Sequence, residues 1–152
     1  MFNKVVVGGT FNILHKGHEE ILKTAFKLGK SVIIGLTSDE FANRFRAVKT
    51  LEYENRKENL IEFIENLNSG KEYSVIEISD SYGIATIDPE IDCIVVSEET
   101  LLRAEEINAI RFKKGLLKLV VVVVPIVFAE DGKAISGDRI TKGEINGEGR
   151  IL

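Results

Sequence analysis

Both histidines of the 152-residue chain fall in one short segment, Gly8-Gly9-Thr10-Phe11-Asn12-Ile13-Leu14-His15-Lys16-Gly17-His18. Two imidazoles at this spacing could do either of two kinds of chemistry. On a helix, positions i and i+3 share a face, so the pair could hold a metal ion. The chain offers no third histidine and a single cysteine, Cys93, so no metal site is expected. The other chemistry is phosphate binding. An apolar run, Val5 to Val7, precedes the glycine pair, and an amphipathic run, Ile21 to Leu28, follows the histidines. That order reads as strand, tight turn, helix. A helix N-terminus presents unpaired N–H groups and partial positive charge, and imidazoles there add donors that can become cationic near neutral pH. Gly8, Gly9 and Gly17 let a phosphate-bearing ligand approach the backbone, and Thr10 offers a hydroxyl.

Further candidates lie elsewhere along the chain. Ser136 can cap a terminal helix whose exposed N–H groups would also serve an anion. Arg44, Arg46, Lys49, Arg56 and Lys57 form a basic cluster in a loop-rich region. Asp80-Ser81-Tyr82-Gly83 follows an apolar run, and Tyr82 either packs on substrate or covers the core. Asn108 and Arg111 share a helical face, and Arg111 either binds phosphate or makes a surface ion pair.

These residues need a frame, and the apolar runs supply one. Val5–Val7, Val32–Leu36, Tyr73–Ile78, Cys93–Val96 and Lys118–Pro125 are short, β-branched and nearly continuous. Such runs mark strands buried on both faces of a parallel sheet. Helical patterns alternate with them. One spans Lys16–Leu28 and ends at Gly29, which reads as a C-cap. A short one runs through Phe45 behind a Thr37 or Ser38 cap. Tyr53–Leu67 ends near Asn68-Ser69-Gly70, and Ser97 caps a helix over 98–114 that stops at Gly115. The expectation is one α/β domain over 1–152, a doubly wound parallel sheet of the Rossmann-like type. Ligands of such sheets bind at the carboxyl ends of the strands.

Composition narrows the function classes. A net charge of −4 argues against general nucleic-acid binding. The longest apolar stretch, Leu119 to Ala129, is broken by Pro125 and is too short to span a bilayer. The first residues lead straight into a strand, so no signal peptide is expected. Cys93 lies in an apolar run and reads as a core residue in a reducing compartment. A cytoplasmic protein is expected, monomer or homo-oligomer.

Three ordered blocks also carry a resemblance. The histidine segment resembles the HxGH signature of the nucleotidyltransferase superfamily, in the form GGTFDxLHxGH. Ile135-Ser136-Gly137-Asp138-Arg139-Ile140 with Gly143-Glu144-Ile145-Asn146 resembles ISSTRI followed by GEID. Asp88 to Thr100, with Asn108 and Arg111, is the third block. Together they resemble the archaeal and eukaryotic type of phosphopantetheine adenylyltransferase, which joins ATP and 4′-phosphopantetheine with Mg²⁺ as the usual escort of the triphosphate. The resemblance implies that His18 stabilises the phosphate in the transition state, with His15 beside it. It implies a lysine of the basic segment that reaches the transferred phosphate, Lys49 or alternatively Arg46. It sets Ser136 and Arg139 near the β- and γ-phosphates, with Arg139 among the catalytic cations. Gly8, Gly9, Thr10, Phe11 and Gly17 would meet the nucleotide, as would Ser97, Thr100 and Arg111. Thr10, Asn12, Lys49 and Tyr82 would meet the acceptor. Arg56 matches an arginine of the family and reads as pairing with helix acids.

The sequence departs from the family at Asn12, Gly137 and Asp138, where Asp, Ser and Thr are usual. The Asp138 carboxylate is expected to cap its helix rather than face the triphosphate. Rival readings are a cytidylyltransferase for glycerol phosphate or ethanolamine phosphate, an FAD synthetase, and a non-catalytic nucleotide-binding homologue. The single cysteine argues against FAD synthetase, a family with a C-terminal cysteine pair.

Overall fold

The computed structural model describes residues 1–67 and 70–152. Five parallel strands form one sheet in the order β3-β2-β1-β4-β5. They are β1 (Phe2–Gly9), β2 (Gly29–Thr37), β3 (Glu72–Ile78), β4 (Cys93–Ser97) and β5 (Val120–Val124). The helices are α1 (Lys16–Leu28), α2 (Asp39–Asn43), α3 (Tyr53–Leu67), α4 (Leu101–Lys113) and α5 (Gly137–Thr141). This is the doubly wound arrangement read from the sequence. The expected end of α3 at Asn68-Ser69 lies outside the described residues.

The unbroken apolar runs are explained by burial on both faces. Val5 and Val7 of β1 join Leu22 and Phe26 of α1 and Leu60 and Ile64 of α3 in one cluster. Val6 points the other way, to Ala104 and Ile107 of α4 and to Ala85 of a 3₁₀ turn, Gly83–Thr86. Cys93 is fully buried in the first cluster, and burial pushes its thiol pKa up to about 11. It is a core residue, as its sequence context implied. Chain order reverses between β1 and β4, so a crevice opens at their carboxyl ends.

Two expected roles change. Gly29 is not a left-handed C-cap; its φ is −102° and α1 runs directly into β2. A Cβ there would lie 2.7 Å from Val5 Cγ2 and 2.8 Å from the Ser31 carbonyl oxygen. Close packing, not turn geometry, requires the glycine. Arg111 is neither a phosphate ligand nor a surface ion pair. It is 1% exposed, and its guanidinium donates to the carbonyls of Leu117 (2.7 Å), Ala85 (2.8 Å), Asp88 (2.9 Å) and Ile91 (3.3 Å). It ties the end of α4 to the chain that enters β4. Its helical neighbour Asn108 holds the Leu119 backbone at both its N–H (2.7 Å) and its carbonyl (3.0 Å), which fixes the start of β5.

Beyond β5 the chain crosses back to the carboxyl edge. Glu98 Oε1 accepts from Ile126 N, and Lys16 N donates to the Gly147 carbonyl at 3.0 Å. Gly137 packs on Ile13, where a Cβ would come within 3.3 Å of Ile13 Cβ. These contacts set the start of α5 beside the start of α1. Among the described residues no helix is long and apolar enough to cross a membrane.

Removing the Arg111 fork leaves four carbonyls without their donor, those of Ala85 and Ile91 buried and those of Leu117 and Asp88 partly so. Arg111→Met should lower unfolding free energy in urea by about 3 kcal/mol, the scale of an unpaired buried polar group. ATP affinity of the folded variant, by calorimetry, should be unchanged; a selective loss of ATP binding would return Arg111 to the site.

Candidate active site

A cleft of about 640 Å³ lies at the carboxyl edge, over the crevice between β1 and β4. Its floor is the turn after β1. Phe11 there has φ +47° and is 4% exposed. A non-glycine residue in this region stores about 1 kcal/mol of strain. The buried ring compensates: it packs on Gly9, where a Cβ would stand 3.0 Å from the ring, and lies 5.1 Å from the His18 ring between centroids.

The two histidines close the helix start. His15 is the N-cap of α1; its Nδ1 accepts from Gly17 N at 3.0 Å. His18 Nδ1 accepts from His15 N at 3.3 Å. This is a reciprocal capping box made of imidazoles. The rings lie 4.0 Å apart between centroids. An accepting Nδ1 carries no hydrogen, so each neutral ring bears its hydrogen on Nε2. Both rings line the cleft. Burial first, and then the neighbouring His15, push the His18 pKa down to about 3, and burial lowers that of His15. The pair is therefore neutral at pH 7 rather than cationic, and each ring brings one uncharged donor.

Behind the turn sits Arg56, fully buried. Its Nε donates to the Leu51 carbonyl (2.8 Å), Nη1 to the Thr10 carbonyl (3.1 Å) and Thr37 Oγ1 (3.4 Å), and Nη2 to Asp39 Oδ1 (3.0 Å). Its acid partner belongs to α2, not to its own helix α3. Thr37 Oγ1 donates onward to Thr10 Oγ1 at 3.0 Å. The Thr10 hydroxyl hydrogen is then left for the cleft. Asn12 Oδ1 accepts from Leu51 N at 2.8 Å, so its oxygen fixes a loop and leaves the amide N–H₂ as the free end.

The opposite wall comes from β4, α4 and the turn after β3. Ser97 and Thr100 form a second capping box, with Ser97 N donating to Thr100 Oγ1 at 3.2 Å. Asp80 Oδ1 accepts from Tyr82 N (2.9 Å) and Gly83 N (2.6 Å) and shapes the turn that carries Tyr82. Tyr82 donates its hydroxyl to Glu106 at 2.7 Å. It both lines the cleft and packs on the second core cluster. At the rim, Ser136 Oγ caps α5 by accepting from Arg139 N at 3.3 Å, and Ser136, Gly137 and Asp138 line the cleft.

Residues 6–143 match the family model described as cytidylyltransferase-like. The phosphopantetheine adenylyltransferase of Pyrococcus abyssi is 44% identical over 146 residues, covering 95% of this chain and 92% of that one. That of Methanosarcina acetivorans is 45% identical, covering 97% and 95%. The chain belongs to the cytidylyltransferase-like family, in its archaeal phosphopantetheine adenylyltransferase branch. Among solved structures, a protein of unknown function from Archaeoglobus fulgidus superposes with a TM-score of 0.70 at 36% identity, covering 80% of this chain and 88% of that one.

Against the family's pattern, the fold brings together Gly8, Gly9, Thr10, Phe11, Asn12, His15, His18, Tyr82, Ser97, Thr100 and Ser136 on one cleft. It leaves others outside. Gly17 does not line the cleft; it makes room for the capping ring, since a Cβ there would stand 2.8 Å from His15 Cε1. Arg139 turns away. Its fork pairs with Asp131 and Glu144 and donates to the Ala134 carbonyl at 3.1 Å. Lys49 is exposed and off the lining, whereas Arg46, three residues before it, is on it. Asp138 does not cap α5, because Ser136 does; its exposed carboxylate has no hydrogen-bond or ion-pair partner among the described residues. Arg103 lines the cleft and went unnoticed in the sequence. Its i, i+3 spacing from Thr100 was the available signal.

The buried neutral histidines make stability depend on pH. Folded His18 stays unprotonated down to about pH 3, whereas an unfolded histidine takes its proton near pH 6.5. Between those values the unfolded chain binds more protons, so stability is lost as pH falls through that window. His18→Gln keeps a side-chain hydrogen-bonding group without the titration. The parent should lose up to about 1.4 kcal/mol per pH unit relative to this variant below pH 6; parallel urea-unfolding profiles from pH 7 to 4 would refute it.

Proposed function

We propose that this protein transfers the adenylyl group of ATP to 4′-phosphopantetheine, giving dephospho-coenzyme A and pyrophosphate. The observation that carries the reading is the capping box of His15 and His18, which leaves Nε2–H as the free donor of two rings that line the cleft together with the start of α5. The acceptor is taken from the names of the relatives.

The nucleophile is a phosphate oxygen, anionic at neutral pH, so no general base is required. It attacks the α-phosphorus of ATP, the bond from that phosphorus to the β-bridging oxygen breaks, and pyrophosphate leaves with the electron pair. Catalysis then consists of alignment and charge stabilisation. Thr10, with its hydroxyl hydrogen free, holds the acceptor phosphate. His18 Nε2–H meets the α-phosphoryl oxygen, where charge grows in the transition state. A bound polyanion raises the imidazole pKa, so the ring gains positive character when phosphate is present. The Ser136-Gly137 end of α5 takes the β- and γ-phosphates. Arg46 is the basic residue of the 44–57 segment that meets phosphate. Lys49 can join it only if its loop turns inward, and Arg139 acts by holding the start of α5.

Among the described residues no group of three or more His, Cys, Asp or Glu could hold a metal ion. Mg²⁺ would come with ATP, as the usual escort of its phosphates. The apolar wall of Ile84, Ala85, Ala104 and Ile107 suits the pantetheine arm with its gem-dimethyl carbon. A reducing cytoplasm fits the free thiol of Cys93.

Pyrophosphate release from ATP, measured with 4′-phosphopantetheine and with glycerol phosphate plus CTP, tests the assignment. Turnover of the second pair alone would overturn it. His18→Ala should lower kcat on the order of 10²–10³-fold, the cost of one preorganised donor, with ATP binding much less affected. Asp138→Thr removes an unpartnered carboxylate from the cleft. It should tighten ATP binding by about 1 kcal/mol, more at low ionic strength; identical isotherms at low salt would show that the carboxylate does not sense the triphosphate.

A further inference from the structure

Among the described residues, two arginines are the only Lys or Arg side chains on the cleft wall, Arg46 and Arg103. Arg46 belongs to the basic segment already discussed. Arg103 stands alone in the first turn of α4, where Thr100, Ala104 and Ile107 line the cleft with it. Glu99 lies four residues before it and Glu106 three after, spacings that favour ion pairs on a helix. Neither pair forms; Arg103 has no ion-pair partner among the described residues. Glu106 instead accepts the Tyr82 hydroxyl at 2.7 Å. The charge of Arg103 is felt at that phenol, where it opposes the rise in pKa caused by Glu106. An unpaired guanidinium thus stands beside a tyrosine, at the edge of the apolar strip of Ile84, Ala85, Ala104 and Ile107.

This wall is across the sheet from the histidines. α1 packs on the cluster of Val5 and Val7, whereas α4 and the turn Gly83–Thr86 pack on the cluster of Val6. Under the proposed function the triphosphate lies on the α1 and α5 side. Two parts of the substrates project past the phosphates, the nucleoside and the acceptor's arm; Ser97 and Thr100 at the end of β4 are left to the nucleoside, and the arm, which carries a gem-dimethyl carbon and two amides, is assigned to the face of α4 beyond them. The apolar strip matches the methyl groups. A planar guanidinium with five N–H donors matches carbonyl oxygens, which accept along two lone pairs. We infer that Arg103 selects the acceptor by donating hydrogen bonds to the amide carbonyls of the pantetheine arm, an inference that rests on the function proposed above. It is a specificity residue and takes no part in the displacement at phosphorus. Tyr82, fixed by Glu106, sets the other side of the same contact.

Steady-state kinetics with two acceptors tests this. One acceptor is 4′-phosphopantetheine. The other is neopentyl glycol monophosphate, which keeps the phosphate and the gem-dimethyl carbon and has no amide. Arg103→Met, which keeps the aliphatic stem, should raise KM for 4′-phosphopantetheine about tenfold, the lower range for a hydrogen bond from a charged donor. KM for ATP, kcat with 4′-phosphopantetheine and kcat/KM for the amide-free phosphate should not move. Arg103→Lys, which keeps charge and loses the fork, should fall between. A thermal melt of each variant confirms folding. An equal loss on both acceptors would make Arg103 a phosphate ligand, and a raised KM for ATP would make it a nucleotide ligand; either overturns the inference. If the unaltered protein turns over 4′-phosphopantetheine and Arg103→Met is indistinguishable from it, the inference alone fails. If the unaltered protein does not use 4′-phosphopantetheine, the proposed function fails and the inference with it.

Discussion

The guanidinium of Arg56 is the constraint on which the cleft floor depends. Four elements end near one another at the carboxyl edge: the turn after β1, the end of β2, the start of α2 and the loop before α3. Each would leave polar groups facing inward. Arg56 donates to all four, through Thr10, Thr37, Asp39 and Leu51. A planar fork of five donors can do this from one position, and an ammonium group cannot. Asp39 is half exposed, so its attraction is partly screened by water. Most of the cohesion comes from satisfying the Thr10 and Leu51 carbonyls and the buried Thr37 hydroxyl from one buried side chain. The same network gives the Thr10 hydroxyl its direction, because Thr37 accepts from Arg56 and has its own hydrogen to give.

The histidines answer a structural demand and a chemical one with the two nitrogens of the same rings. Nδ1 of each ring is occupied by backbone N–H at the start of α1, which fixes both ring orientation and tautomer. Free donors at Nε2 follow from that cap. Ring stacking and the strained Phe11 turn hold the pair in a desolvated place. Desolvation makes the empty rings neutral, and it is also what makes a donor effective against a developing phosphoryl charge. The capping glycine, Gly17, is explained by ring volume rather than by nucleotide approach.

The elements were legible in the sequence because burial on both faces leaves unbroken β-branched runs, and the glycine–histidine segment could only be a strand–helix turn. Boundaries shifted where distant residues decide them. β1 begins at Phe2 because it pairs with Gly29, and β5 begins at Val120, just after the Leu119 backbone that Asn108 holds. The arginines were the least legible part. Arg56, Arg111 and Arg139 all look like surface or phosphate-binding cations by type and spacing. Arg56 and Arg111 spend their donors on carbonyls from chain segments that no local pattern reveals, and Arg139 is taken by Asp131 and Glu144. Arg103 and Arg46 are conspicuous for the opposite reason, that among the described residues no hydrogen-bond or ion-pair partner claims their side chains.

An acidic protein can thus house a site for two polyanions with neutral donors on its floor, its arginines Arg46 and Arg103 standing on the walls. The floor supplies neutral donors, two imidazole N–H groups and one hydroxyl, held in place by the fold. A permanently cationic floor would bind substrates and products about as tightly as the transition state, and uniform binding of that kind does not raise kcat. Donors fixed before the reaction cost no reorganisation as charge moves to the α-phosphoryl oxygens. The lowered histidine pKa values are therefore compatible with a phosphoryl-transfer role: their first cause is burial of the rings, and a dry place is where a fixed donor acts most strongly on developing charge.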